Sequence, residues 1–377
     1  MFRIVCNLLP ALERRDLEFA DPGSRHDPGP HRDSHFEAGP RPEPGPRRRR
    51  RLARKYRRRR AVVGILAVLV IAVPVTIVAV VHNLSSNISS SQLRAGDDNS
   101  VPEKLTDETN VLILGSDTRE LDTNGYGSAE GARSDAMILA HVSADSSRID
   151  AVQIPRDTTL DIPACADTGS GASAAVHGMI NSALNAGPAC SVSAAEALTG
   201  VRVDHFIEVN FDGFATIVDA LDGITVDLDE PLHDTKAKLD LPAGEQTLDG
   251  TDALALARTR HAVGDGSDIS RMGNQQMVME AIIDRAKSSQ VLSRPDRLYG
   301  FLDAVTSALR VDDDLDSVGS LASLAATVSS VPKEDITFGI MPWAPAPENA
   351  NRVVKSAAAD AVFTALNEDR PIADLLG

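Results

Sequence analysis

The sequence of 377 residues has little cysteine and lacks the short motifs that most directly assign a chemistry. Its three cysteines and nine histidines show no spacing typical of a zinc site. No Gly-rich loop ending in Lys and Ser or Thr is present, so a nucleoside triphosphate is not expected as a donor. No Gly-x-Ser-x-Gly turn surrounds a serine, so Ser116 and Ser134 are interpreted as turn-capping hydroxyls rather than nucleophiles.

Charge is distributed unevenly along the chain. Residues 1–60 contain 17 Lys and Arg and 8 Asp and Glu, a net charge of +9, and the whole chain carries −16, so the remainder carries −25. An acidic remainder argues against nucleic acid as a ligand, because binding to a phosphate backbone depends on basic residues. The few clustered arginines beyond residue 105 are therefore especially informative.

One long apolar run divides the chain. Ala61 to Val81 contains no charged residue, and roughly 20 such residues cross a bilayer. A cleaved signal peptide would be shorter and nearer the N-terminus, and a buried helix of a soluble protein fits the basic flank Arg47–Arg60 poorly. We predict a disordered basic cytoplasmic tail (1–60), a transmembrane helix (61–82), an extracytoplasmic linker (83–105) and one folded domain (106–377). The expected location is the cell membrane, single-pass, with the N-terminus cytoplasmic and the folded domain outside.

The cysteines divide at the same boundary. Cys6 lies in the predicted cytoplasmic tail, whereas Cys165 and Cys190 lie outside, where a disulfide persists. A Cys165–Cys190 disulfide is therefore predicted, with two free thiols as the alternative.

The hydrophobic pattern after residue 105 alternates between strands and helices. Such alternation predicts an α/β fold, an α-β-α sandwich with a central mixed sheet. The predicted strands are 111–114, 136–142, 148–154, 203–211, 224–228 and 335–341. The predicted helices are 191–198, 215–221, 251–257, 269–286, two within 294–329, and 352–367.

Charged residues lie at three predicted strand ends: Asp117 with Arg119, Arg133 with Asp135, and Arg156 with Asp157. Ligands of open α/β sheets collect beyond the carboxyl ends of strands. Asp117 and Arg156 fit this rule, whereas Arg133 and Asp135 precede their strand and require the loop before it to fold back. Carboxylates placed in this way suit Mg²⁺, which completes its shell with phosphate oxygens and water.

A second charged cluster follows from the predicted helix 269–286. Arg271 and Gln275 are four residues apart on one helix face, Asp268 precedes the first turn, and Arg258 and Arg260 come from the segment before it. Arginine presents a rigid fork of donors that matches phosphate oxygens. The cluster therefore predicts a site for a di-anionic phosphate group.

Simpler interpretations remain open for each of these residues. Any single Asp–Arg pair is as readily a structural ion pair as part of a site. His177, His205 and His261 are interpreted as loop or core histidines in preference to catalysts.

Taken in order, these motifs resemble the LytR-CpsA-Psr family of bacterial cell-wall proteins. The matching stretches are Asn110-Val-Leu-Ile-Leu-Gly115-Ser-Asp117-Thr-Arg119, Arg133-Ser-Asp135-Ala-Met137, Ile154-Pro-Arg156-Asp157-Thr158, Gly200-Val-Arg-Val-Asp204-His205-Phe206, Phe211 to Gly223, and Leu248 through Arg258-Thr-Arg260 to Gln276. They cover roughly residues 105–290. The composition and the cysteine pair are typical of actinobacterial members.

The resemblance implies a phosphotransferase that moves a glycan polymer from a polyprenyl-pyrophosphate carrier to peptidoglycan and forms a phosphodiester, with pyrophosphatase activity on the side. Asp117 and Asp135 would bind Mg²⁺, with Mn²⁺ as the alternative ion. The pyrophosphate would be held by Arg119, Arg133, Arg156, Arg258, Arg260, Arg271 and Gln275. Asp117, Asp268, Arg258 and Arg271 form the expected catalytic set. An apolar tunnel between sheet and helices would hold the prenyl chain, and arabinogalactan or a similar polysaccharide is the expected cargo.

The sequence departs from the family pattern at three positions. Met179, Leu184 and Asn274 stand where a lysine, an aromatic residue and an arginine are usual. Two other functions therefore stay open: a polyprenyl-pyrophosphate-binding scaffold without catalysis, and a transcriptional attenuator of envelope genes.

Overall fold

The computed structural model describes residues 46–95, 101–117, 133–235, 237–259 and 268–376, with the backbone alone at 46–55, 58 and 268–272. The chain divides into two compact units, residues 1–69 and 70–377. The first contains the described start of a long helix that begins at Pro46. The last part of the predicted tail is thus helical, because its Arg, Lys, Ala and Leu residues favour a helix.

The helices are α1 (Pro46–Asn87), α2 (Pro188–Thr199), α3 (Phe211–Ala220), α4 (Gly250–Arg258), α5 (Asp268–Ala286), α6 (Ser289–Leu292), α7 (Pro295–Ala308), α8 (Val318–Ser330) and α9 (Ala357–Asn367). Short 3₁₀ turns cover Ile180–Ala186, Asp313–Leu315, Lys333–Asp335 and Ala373–Leu375.

The strands are β1 (Ser89–Ser91), β2 (Thr109–Ser116), β3 (Ser134–Val142), β4 (Ile149–Gln153), β5 (Thr159–Ile162), β6 (Val176–Met179), β7 (His205–Asn210), β8 (Ile224–Leu228), β9 (Leu232–Asp234), β10 (Leu239–Leu241), β11 (Gly244–Leu248), β12 (Leu309–Asp312), β13 (Ile336–Ile340), β14 (Trp343–Ala346) and β15 (Asn349–Lys355). In the described part of the chain, seven of them form a sheet in the order β1-β12-β7-β2-β3-β4-β13.

The central strand β2 is covered on both faces. Leu112 and Leu114 are fully buried and pack with α2 and α9, while Val111, which points to the opposite face, is 5% exposed. Because neighbouring residues of a strand face opposite sides, helices must cover both sides of this sheet. A second apolar cluster joins α3, α4 and α5 to the antiparallel pair of β8 and β11 and to β9 and β10 between them. The predicted α-β-α sandwich with a mixed sheet is confirmed.

The strand directions bring seven strand ends to one edge of the sheet. β2 and β7 are parallel, as are β4 and β13 and also β1 and β12, whereas the pairs β2–β3, β3–β4 and β7–β12 are antiparallel. We call this the site edge: the carboxyl ends of β2, β7, β4 and β13 and the amino ends of β3, β12 and β1. Most of the loop before β3, which was expected to fold back, lies outside the described residues, but the antiparallel pairing itself places the start of β3 beside the end of β2.

Two strands, β12 and β15, lie where the sequence predicted helices. Residues 352–367 were predicted as one helix, but Asn349–Lys355 forms β15 against β14, and helix α9 begins only at Ala357. Strand β12 lies within the segment predicted as two helices and pairs with both β7 and β1. Strands of three or four residues carry too little periodicity to be recognised from sequence alone.

The predicted linker 83–105 contains ordered structure. Helix α1 continues to Asn87, and β1 follows at once as the outermost strand of the central sheet. The predicted domain boundaries otherwise remain predictions.

The predicted disulfide is confirmed. Cys165 and Cys190 are bonded at 2.05 Å and join the loop after β5 to helix α2 across a separation of 25 residues. Both residues are buried within the core on one face of the sheet.

Removing this crosslink should destabilise the folded domain. The double variant Cys165→Ser/Cys190→Ser frees the unfolded chain from a closed loop, and we expect a loss of about 3–4 kcal/mol in the free energy of unfolding. Chemical denaturation of the purified protein measures this loss, with Cys6→Ser as the matched control. A double variant as stable as the control would show that the bond contributes nothing.

Candidate functional site

Asp117 and Arg133 are fixed against each other at the junction of β2 and β3. The backbone N–H of Arg133 donates to Oδ1 of Asp117 at 2.7 Å, and the N–H of Asp117 donates to the carbonyl of Arg133 at 3.0 Å. The Arg133 side chain is exposed. The backbone of Arg133 thus holds Asp117 directly after the carboxyl end of β2, the position that the sequence predicted.

A β-bulge places Asp135 beside this junction. Gly115 pairs with Ala136 and Ser116 with Ser134, so Asp135 is the extra residue on β3. Such bulges change the direction in which a side chain points. A Cβ at Gly115 would lie 3.1 Å from the Cβ of Ala136, which shows how closely the two strands approach there.

Arg156 joins the carboxyl end of β4 to the bulge. Its Nη1 forms an ion pair with Oδ1 of Asp135, and its Nε lies 3.7 Å from Oδ1 of Asp157. The carbonyl of Arg156 accepts from the N–H of Asn181 at 3.3 Å. Asp135, Arg156 and Asp157 therefore form one cluster in which Arg156 bridges two acidic residues.

Arg258 lies at the same edge, where its guanidinium packs on the ring of Phe211. Its guanidinium carbon lies 4.6 Å from the centroid of Phe211, the first residue of α3. Asn210 ends β7 in register with Ser116, one residue before Asp117, and caps α3 by accepting from the N–H of Gly213 at 2.7 Å. The attraction between the cation and the ring therefore holds Arg258 near the end of β2.

Gln275 connects helix α5 to this cluster. Its Oε1 accepts from Nε2 of Gln153 at 2.6 Å, and its Nε2 donates to the carbonyl of Ala257 at 3.2 Å. It thus ties the end of β4 to the last turn of α4, next to Arg258. This is a positioning contact in addition to the phosphate contact that the resemblance implies.

Several predicted site residues cannot be placed. Arg119, Arg260 and His261 lie outside the described residues. Asp268 and Arg271 belong to the first turns of α5, where only the backbone is described, and Asp268 is the first helical residue rather than the cap before it. Their roles remain predictions.

Some residues that build the site were missed in the sequence. Gln153 bonds to Gln275, and the ring of Phe211 contacts the guanidinium of Arg258. Thr259 follows Arg258 in the chain. The hydroxyl of Thr259 donates to the buried carboxylate of Asp234, which also accepts from the N–H of Ala237 at 3.1 Å. Gln153 could have been recognised, because it is a polar residue at the end of an apolar strand. The contacts of Phe211 and Thr259 join segments too distant in sequence to be inferred.

Two histidines considered as catalysts have acidic partners. His205 lies 3.1 Å from Asp312, and this hydrogen bond raises the pKa of His205 while it joins β7 to β12. His177 is exposed on β6, and its hydrogen bond with Asp161 raises the pKa of His177. Neither contact includes a residue of the cluster at Asp117.

The donor set fits a magnesium ion that shares its shell with a phosphate. Asp117 and Asp135 supply two carboxylates from adjacent strands, and the described residues contain no group of three or more His, Cys, Asp or Glu arranged for a metal. Mg²⁺ is commonly held by one or two carboxylates with phosphate oxygens and water completing an octahedron. The same oxygen ligands suit Mn²⁺.

A groove of about 360 Å³ lies on the outer side of α5, between this helix and β8. Asp227, Glu280 and Asp284 line it together with Met277 and Val226. Its acidic lining does not match the apolar tunnel that the resemblance implies, so the tunnel remains a prediction.

The fold and the site edge define a class of protein: an α/β domain with arginines, carboxylates and a glutamine gathered where the sheet ends. The chain matches the LytR_cpsA_psr family over residues 76–368 and belongs to this family.

Two curated relatives illustrate the similarity. Cell wall biosynthesis protein LcpA of Corynebacterium glutamicum is 29% identical over 314 residues, 75% of this chain and 58% of the relative. The polyisoprenyl-teichoic acid–peptidoglycan teichoic acid transferase TagT of Bacillus subtilis is 32% identical over 237 residues, 61% of this chain and 68% of TagT. The chain thus spans little more than half the length of LcpA.

Solved structures share the fold. The LytR-Csp2A-Psr enzyme from Actinomyces oris superposes with a TM-score of 0.54 at 24% identity, over 74% of this chain and 97% of that one. Bacillus subtilis TagT superposes with a TM-score of 0.51 at 24% identity, over 75% of this chain and 99% of the TagT chain.

The contact between Thr259 and Asp234 can be tested by substitution. Thr259→Val removes a donor from a buried carboxylate, and we expect a loss of about 1.5–3 kcal/mol in the free energy of unfolding. Thr259→Ser keeps the hydroxyl and serves as the control. Equal urea midpoints and slopes for the two variants would show that this hydrogen bond does not stabilise the end of α4.

Proposed function

We propose that this protein is a membrane-anchored phosphotransferase that moves a glycan polymer from a polyprenyl-pyrophosphate carrier to peptidoglycan. TagT, named for the transfer of polyisoprenyl-linked teichoic acid to peptidoglycan, supports this reaction type, and LcpA supports a role in cell wall biosynthesis. The observation that carries the proposal is the convergence of Asp117, Asp135, Arg156 and Arg258 at one sheet edge.

The anchor is the apolar part of α1. Residues 59–87 of α1 contain an 18-residue window with a mean hydropathy of 3.0, and this part of the helix is long and apolar enough to cross a membrane. The basic segment before it favours a cytoplasmic N-terminus and an extracytoplasmic domain.

The position of the anchor supports a lipid-linked donor. Ser89 pairs with Arg310, Arg310 with Glu208, and Glu208 with Leu114, so the amino end of β1 is level with the end of β2. With three strand spacings between them, Asp117 lies within roughly 20 Å of the point where α1 joins the sheet. Residues 70–79 of α1 are exposed, and α1 joins the sheet at the site edge.

The proposed reaction is a substitution at phosphorus. A hydroxyl oxygen of peptidoglycan attacks the phosphorus next to the glycan and loses its proton, the new P–O bond forms, and the bond to the polyprenyl phosphate breaks. Water in place of the acceptor gives pyrophosphatase activity. Position and electrostatics supply most of the catalysis in phosphoryl transfer.

The side chains of the site edge divide this work. Asp117 and Asp135 would hold Mg²⁺, which neutralises charge on the leaving phosphate when it is bound. Arg258, which lies over Phe211, and Arg156, which pairs with Asp135 at the bulge, would bind the phosphate oxygens. Gln275 keeps the ends of α4 and β4 together.

One observation favours a second function, a scaffold that binds polyprenyl pyrophosphate without catalysis. Met179 ends β6 where the family usually has a lysine, and Ile180, the next residue, donates its N–H to the carbonyl of Thr158, close to Arg156. A scaffold would bind a prenyl pyrophosphate and release no phosphate.

Phosphate release from a prenyl pyrophosphate tests the proposed function. The full chain with Mg²⁺ should release phosphate, and Asp117→Ala or Arg258→Ala should lower the rate by about 100-fold or more, the usual effect of removing one transition-state contact. Asp240→Ala and Arg370→Ala, which remove exposed charges elsewhere, are the matched controls.

Two outcomes would contradict the proposal. Wild-type rates in Asp117→Ala and Arg258→Ala would remove the site edge from the reaction. Binding of the prenyl pyrophosphate without release by the unmodified chain, with Mg²⁺ or Mn²⁺, would favour the scaffold.

A further inference from the structure

The outer end of α1 is bonded side by side to α7. Nδ2 of Asn83 donates to the hydroxyl oxygen of Tyr299 at 3.1 Å, and Nδ2 of Asn87 donates to Oδ1 of Asp303 at 3.0 Å. Both pairs are separated by 216 residues. A constant separation means that the two helices run in the same direction, with each residue of α1 level with the residue 216 positions later.

The strands that follow these helices repeat the arrangement. β1 follows α1 and pairs in parallel with β12, which follows α7. Leu84 is 2% exposed, and the N–H of Val318 donates to Oγ of Ser85 at 3.3 Å. The last turns of α1 are therefore packed into the domain and hold a fixed position relative to α7 and α8.

This alignment places the start of α7 beside the apolar run. Pro295, the first residue of α7, is level with Ala79, which lies inside the run that ends at Val81. At 1.5 Å per residue, Pro295 lies about 6 Å below Tyr299 along the helix axis. We call residues 285–297 the α6–α7 corner; it contains the end of α5, all of α6 and the first turn of α7.

The chemistry of the corner suits a lipid interface. Leu292 is 56% exposed although its neighbour Val291 is 1% exposed. The corner carries four basic residues and one acidic residue. Arg294 forms an ion pair with Asp296 and Arg297 with Asp222, while Arg285 donates to the carbonyl of Leu221 and to Gln290. The fourth basic residue, Lys287, is exposed. Tyr299, 39% exposed, lies just above it, and tyrosine is enriched where membrane meets water.

We propose that the α6–α7 corner inserts into the headgroup region of the outer leaflet, with Leu292 reaching the acyl boundary and Lys287 contacting an anionic headgroup. The proposal rests on the anchoring proposed above and adds a second, peripheral attachment to the same membrane. Apolar burial and attraction to anionic lipid act together in such interfacial segments. Two attachments hold the domain in one orientation, with the site edge on the side of the bilayer.

Site-directed spin labelling measures this insertion directly. The full chain carries Cys6→Ser, so that a label attaches only at a new cysteine while the Cys165–Cys190 disulfide stays intact. Labels are introduced by Leu292→Cys, by Ala79→Cys as the membrane reference, and by Leu105→Cys as the aqueous control, since Leu105 is 60% exposed elsewhere on the domain. Each protein is reconstituted in vesicles of phosphatidylcholine and phosphatidylglycerol, and collision rates with oxygen and with a water-soluble nickel chelate are compared.

We expect the oxygen-to-nickel collision ratio at Leu292→Cys to be several-fold higher than the ratio at Leu105→Cys, the aqueous control. It should not exceed the ratio at Ala79→Cys, the membrane reference. A ratio at Leu292→Cys equal to that at Leu105→Cys, with Ala79→Cys in lipid, would overturn the insertion and leave the anchor in place. Aqueous values at both Ala79→Cys and Leu292→Cys would overturn the anchoring as well. Phosphate release by the same samples in detergent reports the proposed activity separately.

Discussion

The candidate site depends on the antiparallel pairing of β2 with β3. This pairing places the end of one strand beside the start of the next, so Asp117 and Asp135 lie at the same edge of the sheet. The bulge at Asp135 turns its carboxylate toward Arg156, and the close approach of Gly115 to Ala136 is possible because glycine has no Cβ. The parallel pairing of β2 with β7 then brings Phe211 and, through it, Arg258 to the same edge.

The same sheet connects the site to the anchor. Since β1 follows α1 directly and runs parallel to β12, α1 joins the sheet at the edge that carries the charged cluster. A carrier lipid confined to the bilayer would meet its binding site on the membrane side of the domain. Because the rest of the chain after residue 60 is acidic, we propose this edge, with Arg133, Arg156 and Arg258, as the position of the pyrophosphate.

Much of this arrangement was predictable from sequence because it is encoded locally. The buried strands at residues 111–114 and 136–142, the helix at 269–286 and the charged residues that follow or precede them all have clear local patterns. The interactions that complete the site are not local. Gln153 meets Gln275 across 122 residues, and Thr259 meets Asp234 across 25. The three-residue strand β1 has no periodicity of its own and is defined by its pairing with β12.

The central claim is that the pyrophosphate of a membrane-embedded carrier binds at the site edge. The most direct measurement is an experimental structure of the full chain in a lipid nanodisc with Mg²⁺ and a polyprenyl pyrophosphate. Phosphorus density between the Asp117–Asp135 pair and Arg258, with the prenyl chain directed toward the bilayer, is the predicted result. Phosphorus density elsewhere, such as in the acidic groove between β8 and α5, or a site edge turned away from the lipid, would contradict the account.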